Sequence, residues 1–288
     1  MRQPFLMNFR PFGLGFPSVP VIGQGTWNVP LRGNARDEAI RSLRAGIDLG
    51  MVHLDTAEMY GDGGAESLVG EAIAGLPREQ LFLVSKVLPS NSSYNGTIKA
   101  CHASMKRMRV DYLDCYLLHW RGSVPLSETM RALEQLVADG DIRSLGVSNF
   151  DVDDLREAQA VLKREKIACN QVLYHLGERT IEAHETAFCR EAGIAIVAYT
   201  PFGRGDWHDA PGAKDLEKIA KAHGVTAHAV ILAFLTRDEL TFAIPKAAKL
   251  AHVADNAAAG EFRLTTDEIA TVDRAFPARK RRGGLPSI

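Results

Sequence analysis

One pattern limits this chain more than any other. A short apolar run, a loop and an amphipathic helix follow one another eight times. The apolar runs fall at 21–27, 51–57, 81–87, 112–119, 142–148, 167–172, 194–200 and 240–245. Helical spacing of apolar residues fills the gaps at 37–49, 66–74, 95–108, 126–138, 152–162, 181–192, 214–222, 226–235 and 250–258. A last helix opens on the capping-type residues Thr265, Thr266, Asp267 and Glu268. Strands alternating with helices at about 30 residues per unit imply parallel pairing through right-handed crossovers. Eight units in 288 residues predict an α/β fold, a closed (β/α)8 TIM barrel forming one domain over 1–288. A doubly wound sheet is the rival, but no Gly-rich phosphate turn follows any early strand. Ahead of the repeat, 5–24 alternates apolar and turn residues and predicts a β-hairpin; behind it the extra C-terminal helix closes the pattern.

Composition narrows the function classes. Apolar residues make up 46% and charged residues 24%, with a formal net charge of −1, so nothing invites nucleic acid or an anionic membrane surface. No apolar run approaches the ~20 residues of a bilayer span. The first ten residues, broken by Pro4, Asn8 and Arg10, do not read as a signal peptide. Cys101, Cys115, Cys169 and Cys189 are scattered without metal spacing and read as reduced thiols. A cytoplasmic enzyme, a monomer or weak oligomer, is the expectation. Lys280, Arg281 and Arg282 read as a solvated tail.

Barrel active sites gather where strands run out at their C-terminal ends. Those ends carry Trp27, Asp55, Lys86, His119, Ser148 with Asn149, Asn170 with Gln171, Tyr199 with Thr200, and Lys246. Lys86 inside an apolar strand is expensive to bury alone, and Asp55 one strand away neutralises it. A Lys ammonium beside the Tyr60 phenol favours phenolate and is expected to lower the tyrosine pKa from its usual ~10. Such a phenol delivers a proton near neutral pH, while His119 orients a carbonyl oxygen. The set protonates an alkoxide as it forms, so the attack on carbon must come from elsewhere: a bound hydride donor completes the site. No zinc-protease motif or H-x-H pair offers a metal instead.

The order of these motifs resembles the aldo-keto reductase superfamily over nearly the whole chain. The carriers are Gly23-x-Gly25-Thr26-Trp27, Leu54-Asp55-Thr56-Ala57-x-x-Tyr60-Gly61, Val84-Ser85-Lys86-Val87 and Leu117-Leu118-His119-Trp120. Gly146 to Phe150, Asn170-Gln171, Tyr199 to Gly205 and Ile244-Pro245-Lys246 follow in step. The resemblance implies a catalytic tetrad of Asp55, Tyr60, Lys86 and His119, with Tyr60 the proton donor and hydride coming from C4 of a reduced nicotinamide. It also implies that Ser148, Asn149 and Gln171 hold the carboxamide and Tyr199 stacks on the ring. Thr200, Pro201, Phe202, Gly203 and Arg204 would then run along the pyrophosphate, and Lys246, His252, Asp255 and Asn256 would mark the adenosine end. Trp27 and Trp120 line the carbonyl pocket by the same carry-over, with Met59 and Phe150 adding apolar surface.

This chain departs from the family at the adenosine end. Ala247 replaces a hydroxyl residue, His252 stands where an Arg is usual, and Asp255 replaces a Glu. Losing a bidentate cation weakens phosphate recognition. NADPH is the expected cofactor, with NADH use left open. Short segments after Gly205 and after Phe276 imply an open pocket for a small aldehyde or ketone. Two other functions are compatible with the sequence: a nicotinamide-binding regulatory subunit with weak reductase activity, and an aldolase using Lys86 as a Schiff base. Asp55 speaks against the second, because it keeps Lys86 charged rather than nucleophilic.

Overall fold

The computed structural model describes residues 7–279 and 283–287. Phe5 and Leu6 of the expected hairpin, and the basic tail at 280–282, lie outside the described residues. The hairpin pairs β1 (Phe9–Pro11) antiparallel with β2 (Ser18–Pro20). The repeat then begins: β3 (Gln24–Gly25), α1 (Gly33–Asp48), β4 (His53–Asp55), α2 (Gly64–Ala72), β5 (Phe82–Val87) and α3 (Tyr94–Met108). It continues through β6 (Cys115–Leu118), α4 (Leu126–Asp139), β7 (Leu145–Ser148), α5 (Val152–Val161), β8 (Ile167–Leu173) and α6 (Glu185–Ala192). The last units are β9 (Ala195–Tyr199), α7 (Ala213–His223), α8 (Ala227–Leu235), β10 (Thr241–Ala243) and α9 (Leu250–Ala258). The extra helix is α10 (Thr266–Ala275).

Strands β3 to β10 pair in chain order, all parallel. The sheet closes on itself: Ile22 bridges Ala243, and Gly23 N and Gly25 N donate to the carbonyls of Ala243 (2.8 Å) and Pro245 (3.1 Å). Close approach at this seam explains one glycine of the Gly-x-Gly motif. A Cβ on Gly25 would stand 2.6 Å from the Ile244 carbonyl oxygen, nearer than any side chain tolerates. Parallel strands covered on both faces read as unbroken apolar runs, and every residue of β5 is buried.

Helix ends follow local chemistry. The Asp151 side chain accepts from the Asp153 and Asp154 amides at the start of α5, and Thr265 with Glu268 forms a capping box on α10. Left-handed Gly140, Gly193 and Gly224 end α4, α6 and α7. Two predicted boundaries move. α1 begins at Gly33 rather than 37 because its first turn is polar and exposed, giving no apolar signal. The helix predicted from 181 is a short 3-10 turn over Thr180–Ala183, then a break at His184 (φ −141°), then α6.

Two apolar layers result. One packs the helices against the outside of the barrel, with Leu68, Met130, Leu133, Ile231 and Phe234 among its buried members. The other fills the barrel, with Phe82, Val84, Leu117, Val197 and Phe242. Phe12 from the hairpin plugs the N-terminal end, its ring 4.8 Å from that of Phe82 and 5.3 Å from that of Phe242. Arg10 pins the hairpin by donating to the Thr236 and Asp238 carbonyls at 2.8 and 2.7 Å. The four cysteines are buried and unbridged. No helix among the described residues is long and apolar enough to cross a membrane. The opposite end of the barrel, where the strands terminate, stays open.

Candidate active site

The strand ends deliver the expected quartet. Asp55 closes β4, Lys86 lies in β5, and His119 follows β6 directly. Tyr60 sits in the loop after β4, where its amide donates to the Ala57 carbonyl at 3.0 Å. The left-handed residues Gly61, Asp62 and Gly63 then turn the chain into α2. Asp55 and Lys86 are both buried. Burial of this kind is tolerable only if every proton and lone pair finds a partner.

They do. The three ammonium protons of Lys86 have three oxygen partners: Asp55 Oδ1 at 2.6 Å, the Thr56 carbonyl at 2.7 Å and the Tyr60 hydroxyl at 3.5 Å. The second Asp55 oxygen accepts from Gln171 Nε2 at 2.7 Å. Gln171, which the resemblance assigned to a carboxamide, is thus also tied to the carboxylate. Burial by itself pulls the Lys86 ammonium down, but the charges and hydrogen bonds of Asp55 and Tyr60 outweigh it and leave the group above its ordinary value. Burial raises Asp55 as well, against the pull of Lys86 and Gln171.

Tyr60 corrects the sequence expectation. Its pKa is raised rather than lowered, because burial outweighs the pull of Lys86 and Asp55 adds to the rise. The phenol is therefore fully protonated at neutral pH, and the effect of Lys86 is to keep it more acidic than burial alone would leave it. His119 is pushed down to about 3 by burial and then by Lys86, so it is a neutral imidazole. Its ring meets Tyr60 edge-on at 5.7 Å between centroids, and buried Nδ1 has no partner among the described residues.

A cavity of about 370 Å³ opens above this group. Asp55, Tyr60 and His119 line its floor, and Ser148, Asn149, Gln171 and Tyr199 line one side. Ser148 Oγ donates to the Gln171 carbonyl at 2.8 Å, and Asn149 Nδ2 to the His119 carbonyl at 3.1 Å. The Tyr199 hydroxyl donates to Asn149 Oδ1 at 2.8 Å, which holds the tyrosine ring against the cavity. Thr200, Pro201, Phe202 and Gly203 continue the wall towards Lys246. Non-glycine residues rarely take a left-handed backbone, yet Asn28, Asn149 and Thr200 do, at φ 56°, 62° and 50°, and all three line this cavity. Amide groups, then an aromatic wall, then a cation is the order that a carboxamide, a nicotinamide ring and a phosphate need. The donor set fits a nicotinamide nucleotide.

Not every expected residue meets this cavity. Trp27 and Trp120 stand at its rim with Met59, each more than a third exposed. Phe150 is fully buried in the outer core, so it adds nothing to the pocket surface. Arg204 lines a separate cavity on the far side of the 200–205 loop. His252, Asp255 and Asn256 lie on α9, away from the main cavity, with His252 exposed and Asn256 buried. Three features escaped the sequence reading. Asn28 is one; only its place directly after a strand-end Trp could have flagged it. The others are His208 and His228, which join Phe202 and Trp207 in an aromatic cluster behind the nucleotide wall.

Comparison with known proteins decides the family. The model of the Aldo/keto reductase family matches residues 21–276. The chain belongs to the aldo/keto reductase family. It is 45% identical over 276 residues to methylglyoxal reductase YeaE of Escherichia coli (strain K12), covering 95% of this chain and 97% of that protein. It is 36% identical over 260 residues to glyoxal reductase of Bacillus subtilis (strain 168), covering 88% of each. The structure of an aldo-keto reductase from Klebsiella pneumoniae in complex with NADPH superposes with a TM-score of 0.90 at 41% identity, over 97% of this chain and 99% of the other. This aldo/keto reductase is thus an NAD(P)H-dependent oxidoreductase acting on carbonyl groups, and its eight-stranded barrel with an N-terminal hairpin is the family fold.

Proposed function

We propose that this aldo/keto reductase reduces small aldehydes and ketones, methylglyoxal among them, with NADPH as cofactor and Tyr60 as proton donor. One observation carries the assignment: a single buried ammonium, Lys86, is bonded at once to Asp55 and to the Tyr60 hydroxyl at the floor of the cavity. The identity to a methylglyoxal reductase and to a glyoxal reductase supports the substrate class. The NADPH complexed with the Klebsiella relative, and Lys246 at the far end of the cavity, support the cofactor. NADH remains a second substrate for the site, since Ala247 and His252 offer less to a 2′-phosphate.

Bound nicotinamide supplies the hydride. The chain's own residues do the rest. Tyr60 and neutral His119 share the carbonyl oxygen between a hydroxyl and an imidazole N–H, holding it where negative charge develops. Tyr60 passes its proton to that oxygen, and the ammonium of Lys86, 3.5 Å from the hydroxyl, stabilises the phenolate left behind. Asp55 holds Lys86 charged and aimed. Ser148, Asn149, Gln171 and Tyr199 orient the cofactor. We extend the proposal to one barrel domain over 1–288 working in the cytoplasm as a monomer or weak oligomer; four buried, unbridged thiols suit a reducing compartment.

Fluorescence titration with NADPH and then NADH, followed by NADPH consumption with methylglyoxal, tests the reading. Saturable NADPH binding tighter than NADH, with turnover, is expected. Tight binding without turnover of any small aldehyde would make the protein a nicotinamide-binding regulator instead.

A further inference from the structure

Behind Trp27 and Met59 lies a second, smaller cavity of about 210 Å³. It shares Thr26, Trp27, Asn28, Met59 and Tyr60 with the catalytic cavity, so the two adjoin along a wall that contains the proposed proton donor. Tyr60 thus lines both cavities. The far wall of the side cavity is apolar: Val29, Leu31 and Ala65. Leu31 packs directly on Gly61, where an added Cβ would stand 2.1 Å from Leu31 Cδ1. No Lys, Arg, Asp or Glu lines the side cavity.

The shared wall carries one uncommitted carboxamide. Thr26 Oγ1 is bonded to the Asp55 carbonyl at 2.9 Å, and the Tyr60 oxygen is held by Lys86. Asn28 makes no side-chain hydrogen bond among the described residues, and its place is set by the backbone instead. Its left-handed conformation sits in a turn closed by Val29 N donating to the Thr26 carbonyl at 3.3 Å. A carboxamide both donates and accepts, so it suits either a keto or a hydroxyl oxygen on the carbon next to the reacting carbonyl. An ionised carboxylate at that position would be desolvated beside apolar groups with no cation to meet it.

We infer that the side cavity is a substrate subsite with Asn28 at its neck, selecting uncharged 2-oxo- and 2-hydroxyaldehydes whose short apolar tail lies against Leu31. The inference rests on the reductase reading and names its substrate class. Three carbonyls test it at saturating NADPH: propanal, methylglyoxal with the added keto oxygen, and phenylglyoxal with the larger tail. For Asn28→Ala, the methylglyoxal-to-propanal ratio of kcat/KM falls about tenfold, the scale of one hydrogen bond. For Leu31→Phe, the phenylglyoxal-to-methylglyoxal ratio falls about tenfold, and for Leu31→Ala it rises. The NADPH dissociation constant, read by fluorescence quenching, stays within about twofold in the two Leu31 variants, which separates a substrate effect from a damaged fold. Any change in Asn28→Ala is common to the substrates and cancels from their ratio at saturating NADPH. Ratios that do not move, or equal losses on all three substrates, overturn the subsite. A wild-type protein that binds NADPH but reduces none of the three overturns the reductase reading itself.

Discussion

The two ends of the barrel hold the same chemical object in different circumstances. His53 in β4 and His119 after β6 are both buried, and both are pushed down to about 3 by burial first and by Lys86 second. At the closed end His53 lies edge-on to the rings of Phe12 and Phe82, at 5.5 and 5.3 Å, and neither ring nitrogen has a partner among the described residues. At the open end His119 lies beside Tyr60 and Trp120 and lines a cavity. A depressed pKa alone thus does not mark a functional histidine. What separates the two is access: one imidazole faces a plug of aromatic carbon, the other lines the open cavity proposed to take the carbonyl.

The comparison breaks or sharpens under mutation. Lys86→Met should act at the open end on both stability and chemistry. It strands the Asp55 carboxylate in the interior, so urea denaturation should show a loss of about 3–5 kcal/mol. Turnover of methylglyoxal should fall by about 10³-fold as Tyr60 loses its cation. Phe12→Ala at the closed end should lose a similar 3–5 kcal/mol through a cavity under the barrel, while kcat/KM of the folded fraction stays within about twofold. If Phe12→Ala removed activity without loss of stability, the two ends would not be separable in this way.

The smallest effect is in pH. Each histidine has a folded pKa near 3 and an unfolded one near 6.5. Between those values the unfolded chain binds protons that the folded chain does not, so stability is full above about pH 6.5 and is lost as pH falls towards 3. The slope is about 1.4 kcal/mol per pH unit for each imidazole. Replacing His53 by Leu should remove its share, about 1.4 kcal/mol per pH unit, from the fall in stability below about pH 6.5, read from urea denaturation at pH 7, 6 and 5. An unchanged slope would show that His53 titrates normally and that the closed end is wet.

The repeat made the barrel legible, because eight buried parallel strands must be written as eight apolar runs. Asp55, Lys86 and His119 were legible for the same reason: charged and polar residues stand out when they interrupt such runs. The sign of the Tyr60 shift was not, since it depends on how far desolvation outweighs one cation at 3.5 Å, and depth of burial is a tertiary quantity. Asn28 went unread because an exposed Asn after a strand end looks like any turn residue. Phe150 misled because adjacency to Asn149 in sequence says nothing about which side of the barrel wall a ring faces.

Tyr60→Phe tests the central claim most directly. The substitution keeps the ring and removes only the hydroxyl that Lys86 holds and that is proposed to protonate the substrate. Fluorescence titration should give an NADPH dissociation constant within about twofold of the unaltered protein, while kcat/KM for methylglyoxal falls by about 10³-fold. Retention of more than about a tenth of the activity would contradict the account and move the proton donor to another residue.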